Sequence, residues 1–189
     1  MNVVEKLLPI NKFSRSGKQL KSVKAVVVHW LENAKQSAHG CWNFFGVDRP
    51  TGKFGFGSAH YIVDFDGTIL HCIPDNEMAY HVGSDTVDPV SKILYTDTCR
   101  KFTLENPNNA MLGIECCHTD WKGNMTAETV EALTELVARL CMLYGLDPMH
   151  DVLLHKEVVG WKDCHRYYVN NPLAWQQFKE DVMRLYKVD

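Results

Sequence analysis

The sequence contains no long apolar run. No stretch approaches the ~18 residues that a membrane-spanning helix requires. The N-terminus, MNVVEKLLPINKFSRSGKQLKSV, has no continuous apolar core followed by a small-residue cleavage site, so synthesis in the cytoplasm without a signal peptide is expected. Charge of one sign is also scarce. The formal net charge of −3, from 20 Lys and Arg against 23 Asp and Glu, gives no reason to expect a nucleic-acid or anionic-membrane partner. Repeats, low-complexity tracts and linkers are missing. What remains is 189 residues, 46% hydrophobic and 23% charged, enough for one soluble domain with a substantial core. An even cysteine count is lacking too. Seven thiols are scattered at positions 41, 72, 99, 116, 117, 141 and 164, which argues for reduced, buried side chains over a disulfide framework.

The apolar residues that are present fall into recognisable patterns. KAVVVHW (24–30) is a β-branched run without alternation, as expected of a strand covered on both faces. AHYIVDF and TILHCI flank Asp66-Gly67, a hairpin turn signal, and AMLGIECC (110–117) reads as a fourth buried strand. A helix is expected from about Thr126 to Tyr144. Val130, Leu133, Val137, Leu140 and Tyr144 form its stripe, Thr126 its N-cap and Gly145 its C-terminal stop. A second helix is expected from Asn171-Pro172, with Trp175, Phe178, Val182 and Leu185 on one side. HGCWNFF (39–45) suits a shorter helix, whereas 46–58 and 82–109 read as loops carrying function or hidden short helices. The fold expected is one α/β domain over 1–189, with its core over about 22–186 and a central mixed sheet flanked by helices.

Asp64-Phe65-Asp66-Gly67-Thr68 has the form of a phosphatase nucleophile loop. That chemistry requires a crossover helix next and a later acidic cluster to hold magnesium. The sequence instead offers a hairpin partner strand and no such cluster, so turn chemistry accounts for the motif.

His29 ends the VVVH strand, His155 follows DVLL, and Cys164 lies nine positions further on in HKEVVGWKDCH. Two imidazoles and a thiolate suit zinc, and three protein ligands leave a position open for hydrolytic chemistry. Taken singly, each is as readily a packed core residue.

The segments VVVHW, SAHYIVDFDGTILHCIPDNEMAYHVG, NAMLGIE and LLHKEVVGWKDC, in that order over most of 24–165, resemble the zinc-dependent N-acetylmuramoyl-L-alanine amidases of the type-2 amidase family. That family includes phage endolysins and peptidoglycan recognition proteins. The resemblance implies one Zn2+ on His29, His155 and Cys164. It also implies hydrolysis of the amide joining N-acetylmuramic acid to L-alanine in bacterial peptidoglycan. Glu115 matches a general base, Lys162 a group that stabilises the transition state, and Tyr61 a tyrosine beside the attacking water. His81 matches a position lining the substrate cleft. His60, on the other side of its strand from Tyr61, either contacts substrate or packs. The ordinary structural roles of these residues are an ion pair for Glu115, a solvated charge for Lys162 and a strand aromatic for Tyr61. The family often has Pro after the ligand Cys. Here it is His165, which leaves the loop shape open and His165 as a stray ligand or substrate contact.

The expectation is therefore a monomeric wall hydrolase, of the kind a phage or prophage releases to the cell wall, with no nucleic-acid partner and no membrane insertion. Two rival classes remain: a cell-wall peptidase with Cys164 or Cys41 as nucleophile, and a non-catalytic peptidoglycan-binding module.

Overall fold

The β-branched run forms strand β2 (Ala25–Trp30), and its neighbours on both sides run parallel to it. The structure, a computed structural model, describes residues 1–187. The other strands are β1 (Asn2–Glu5), β3 (Tyr61–Val63), β4 (Thr68–His71), β5 (Met111–Cys116) and β6 (Val152–Leu154). They make one mixed sheet in the order β1-β4-β3-β5-β2-β6. β3, β5, β2 and β6 are mutually parallel; β4 pairs antiparallel with β3, and β1 lies parallel to β4 at the edge. The expected class, one α/β domain with a mixed sheet, is what forms. The last two positions of the expected 1–189 domain lie outside the described residues.

The helices are α1 (Ala38–Asn43), α2 (Asp97–Arg100), α3 (Ala127–Tyr144), α4 (His155–Val159), α5 (Arg166–Asn170) and α6 (Pro172–Tyr186). None is long and apolar enough to cross a membrane. Alternation along the strands sends side chains to two different cores. Val26, Val28, Leu112 and Ile114 pack with Leu133 and Val137 of α3 and Phe178 and Val182 of α6. Ala25, Val27 and Met111 face the other way, toward Val158 and Val159 of α4 and Cys99 of α2. A third cluster joins Ile62 and Leu70 to Ala38 and Cys41 of α1 on that same side.

Local chemistry sets the boundaries. The Thr126 hydroxyl accepts from the Thr129 amide at 3.1 Å and starts α3; Gly145, at φ 64°, stops it. Pro172 opens α6 as expected, but Leu185 is 42% exposed and lies off the buried stripe. The expected helix over 39–45 begins at Ala38 and widens into a π-helical turn, Phe44–Asp48. The 82–109 segment hides α2 and a 3-10 turn at Pro107–Asn109. At the hairpin, the Asp64 amide donates to the Thr68 carbonyl at 2.8 Å and Gly67 adopts φ 80°. An added Cβ at Gly67 would lie 3.0 Å from the Glu128 carbonyl, so the turn is wedged beneath α3. The Asp-x-Asp-Gly-Thr stretch is scaffold.

Candidate metal centre and cleft

The parallel strands β5, β2 and β6 end on the same side of the sheet, where open α/β sheets place their ligands. His29 and Glu115 occupy paired positions on β2 and β5. His155 is the first residue of α4, immediately after β6. Glu157 accepts from the Leu154 amide at 2.7 Å and fixes that strand-to-helix turn. The loop after α4 returns Cys164 to the site, with the Lys156 amide donating to the Cys164 carbonyl at 2.9 Å. His29, His155 and Cys164 are all buried, with one donor atom each inside a 4.8 Å cluster.

The distances suit a small tetrahedral cation. His29 Nδ1 lies 3.1 Å from His155 Nδ1 and 3.6 Å from Cys164 Sγ. Standard zinc bond lengths give tetrahedron edges of about 3.3 Å between nitrogens and about 3.6 Å from nitrogen to sulfur. The protonation pattern fits as well. Burial first, then neighbouring positive charge, holds both imidazoles well below their ordinary pKa, so both stay neutral. Burial pushes the Cys164 thiol up to about 12, so a thiolate there depends on a cation.

A relay of hydrogen bonds orients His29. His81 Nε2 lies 2.9 Å from the Met111 carbonyl, which can only accept, so that nitrogen carries the proton. His81 Nδ1 is then an acceptor for His29 Nε2–H at 3.0 Å, which turns the His29 Nδ1 lone pair toward His155 and Cys164. Asn108 anchors the relay, its side-chain oxygen accepting from the amides of His81, Val82 and Gly83 at 3.1, 2.9 and 3.2 Å. Gly113 makes room for it. A Cβ there would fall 2.5 Å from His81 Cγ. His60 is held apart from the cleft: its Nδ1 accepts from the Gly113 amide and its Nε2 donates to the Glu77 carbonyl, both at 3.0 Å.

Glu115 is half-buried with its Oε2 shielded from solvent, and burial raises its pKa to about 8 against the pull of Lys162 and Arg49; among the described residues its Oε2 has no hydrogen-bond partner. Such a carboxylate is suited to proton transfer near neutral pH. Among the described residues no ion pair ties it down. Lys162 is exposed, lines the cleft with Trp161 and Glu115, and has no ion-pair partner among the described residues.

Of the residues singled out in the sequence, His29, His155, Cys164, Glu115, Lys162 and His81 come together here. Tyr61 does not. It pairs in register with Ile114 and so faces α3, where its hydroxyl donates to Asp75 at 2.6 Å and its ring stacks on His71. His165 is likewise no ligand. It is fully buried beside Trp30 and Tyr168, with both ring nitrogens unpartnered, after a cis Cys164–His165 peptide. Cys41 also lines the cleft, but burial, aided by Glu115, pushes its thiol well above the ordinary range, which does not suit a nucleophile. The sequence reading missed Arg49 and Asn108. Both lie in Gly-, Pro- and Asn-rich segments that looked irregular; Asn108 bonds to residues 25 to 27 positions away, and Arg49 to Phe54–Phe56 through a loop with no periodic signature.

The family model described as N-acetylmuramoyl-L-alanine amidase matches residues 19–167. A probable N-acetylmuramoyl-L-alanine amidase of Bacillus licheniformis is 31% identical over 182 residues, covering 96% of this chain and 47% of the relative. N-acetylmuramoyl-L-alanine amidase BlyA of Bacillus subtilis (strain 168) is 29% identical over 175 residues, covering 93% and 45%. The chain thus spans about half the length of the curated relatives it matches. Among solved structures, a mutant endolysin from Bacillus subtilis superposes with a TM-score of 0.69 at 22% identity, covering 96% of this chain and 98% of that one. At that identity the superposition speaks for the fold alone.

Proposed function

Since the chain belongs to the N-acetylmuramoyl-L-alanine amidase family matched over residues 19–167, we propose that it hydrolyses the amide between N-acetylmuramic acid and L-alanine in bacterial peptidoglycan. The observation that carries this reading is the convergence of His29, His155 and Cys164 at zinc-tetrahedron spacing beside the buried carboxyl of Glu115. These three residues would hold one zinc ion. Zinc, when bound, lowers the pKa of a water toward ~7 and polarises the carbonyl that it faces.

The chain's own residues do the rest. Glu115, ionised, takes a proton from the attacking water and returns it to the leaving amine of L-alanine. Lys162 presents its ammonium at the rim of the cleft, where it meets the negative charge that develops on the lactyl oxygen. His81 keeps His29 in the tautomer that offers Nδ1. Tyr61 stays out of the reaction and contributes to stability. The same reading has the protein made in the cytoplasm and acting on the wall as a monomer, as a phage or prophage lysin does.

The test is the chemistry of the cut. Purified wall treated with the zinc-loaded protein should gain new L-alanine amino termini in step with loss of turbidity. Chelator should stop this and zinc restore it. A cysteine peptidase would expose a different amine and ignore the chelator, and a binding module would release neither.

A further inference from the structure

The cleft has two arms that meet at Trp30, Arg49, Glu115 and Lys162. The arm beside His81 is lined by Tyr80, Ser84, Thr86 and Trp161, with Asp85 the one acidic group it adds. The opposite arm adds Glu32, Trp121, Asp163 and Arg166, and so is rich in charge of both signs. A neutral sugar and a charged peptide lie on the two sides of the amide in question. The arms match that division.

Arg49 stands at the junction in an unusual state. Its Nη1 donates to the carbonyls of Phe54, Gly55 and Phe56 at 2.8, 3.3 and 2.9 Å. Its guanidinium carbon lies 4.8 Å from the Phe44 ring centre and 5.7 Å from that of Phe45. A Cβ on Gly57 would fall 2.3 Å from that carbon, so only glycine lets the guanidinium lie there. The group is therefore built into place. Yet among the described residues its Nε is buried without a partner, its Nη2 makes no hydrogen bond, and it forms no ion pair. A buried N–H left without a partner is costly and is met on binding a suitable acceptor. The Nε–H and Nη2–H edge is the one that takes both oxygens of a carboxylate. Arg15 shows this in the same chain, its Nε and Nη2 each 2.8 Å from the two carboxylate oxygens of Glu77.

We propose that the Nε/Nη2 edge of Arg49 grips a carboxylate of the substrate's peptide and thereby sets specificity. The claim rests on the amidase reading. In wall peptides the residue after L-alanine is acidic and joined through its side chain, so its α-carboxyl is free or capped as an amide. That group is the first carboxylate beyond the scissile bond, and Arg49 lines the cleft wall next to Glu115. Arg49 thus selects the free acid over the amide.

The experiment compares N-acetylmuramoyl-L-alanyl-D-isoglutamate with N-acetylmuramoyl-L-alanyl-D-isoglutamine, which differ by that one group. Two readouts are used: kcat/KM of the zinc-loaded protein, and calorimetric Kd on the zinc-loaded Glu115→Gln protein, which binds without turnover. The acid should be favoured about tenfold or more in both. Arg49→Gln should bring the ratio close to one. Arg49→Lys, which keeps the charge and loses the edge, should forfeit most of the preference. Equal handling of both ligands by the unmutated protein overturns the proposal even if the variants fail to fold. So does loss of the preference in Arg166→Gln with its retention in Arg49→Gln. Cleavage of both ligands with no preference removes only the role of Arg49, whereas cleavage of neither removes the amidase reading with it.

Discussion

The two faces of the sheet are built from different materials. On the α3 face, Leu133, Val137, Phe178 and Val182 close over the strands, and the acidic group there, Asp75, accepts from Tyr61 at 2.6 Å and Tyr144 at 2.8 Å. That face's unpartnered buried atoms among the described residues, Trp175 Nε1, His71 Nε2 and both ring nitrogens of His165, lie against aromatic rings. On the opposite face, beyond the ends of the parallel strands, polar groups are buried with deliberate gaps. Among the described residues Glu115 Oε2 and Arg49 Nε have no partner, and three atoms able to hold a metal ion, one each from His29, His155 and Cys164, face one another. Buried polar groups that are paired add to stability; buried polar groups left open point to what is to be bound. The same strands serve both purposes, because successive side chains alternate.

Glu115→Gln should break the open face hardest while leaving the fold intact. A loss of about 10²–10⁴-fold in kcat is expected with zinc content unchanged. It should also alter the pH dependence of the metal-free protein. The carboxyl is raised from 4.5 to about 8 in the folded state, so its ionisation opposes folding: its own contribution to stability is fullest below 4.5 and is lost as pH rises through about 8, while the imidazoles held below their ordinary pKa work in the opposite direction. Chemical denaturation across that window should show the unfolding free energy of the parent falling relative to that of the Gln variant as pH rises.

Leu133→Ala strikes the other face. It should cost about 2–5 kcal/mol of unfolding free energy by denaturant titration, yet kcat measured where the variant is folded should stay close to the parent value. His81→Ala lies between the two, since it removes the acceptor that fixes the His29 tautomer. Zinc affinity should fall about 10–100-fold by chelator competition, with a smaller effect on stability. The smallest change is Tyr61→Phe, which removes one hydrogen bond to Asp75. A loss of about 1 kcal/mol in stability with unaltered kcat is expected. A large fall in kcat there would place Tyr61 in the reaction after all.

Patterning made the framework legible. The unalternating run at 24–30, the Asp66-Gly67 turn, the Thr126 cap and Pro172 are local signals, and each appears where its chemistry puts it. The trio His29, His155 and Cys164 was singled out through the family resemblance, since taken singly each residue was as readily a packed core residue. Tyr61 was misplaced because a one-residue step along a strand changes its face, and a motif match does not count faces. β1, β6, α4 and α5 escaped because they are short, and β1 is exposed along its whole length. Asn108 and Arg49 escaped for another reason. Their partners, at His81–Gly83 and Phe54–Phe56, become neighbours only through loops with no periodic signature.

The central claim is tested most directly by elemental analysis of the purified protein beside Cys164→Ser, with wall lysis assayed on the same samples. The account predicts one zinc per chain in the parent, and loss of both zinc and lysis in the variant. Full lysis by a zinc-free Cys164→Ser protein would contradict it.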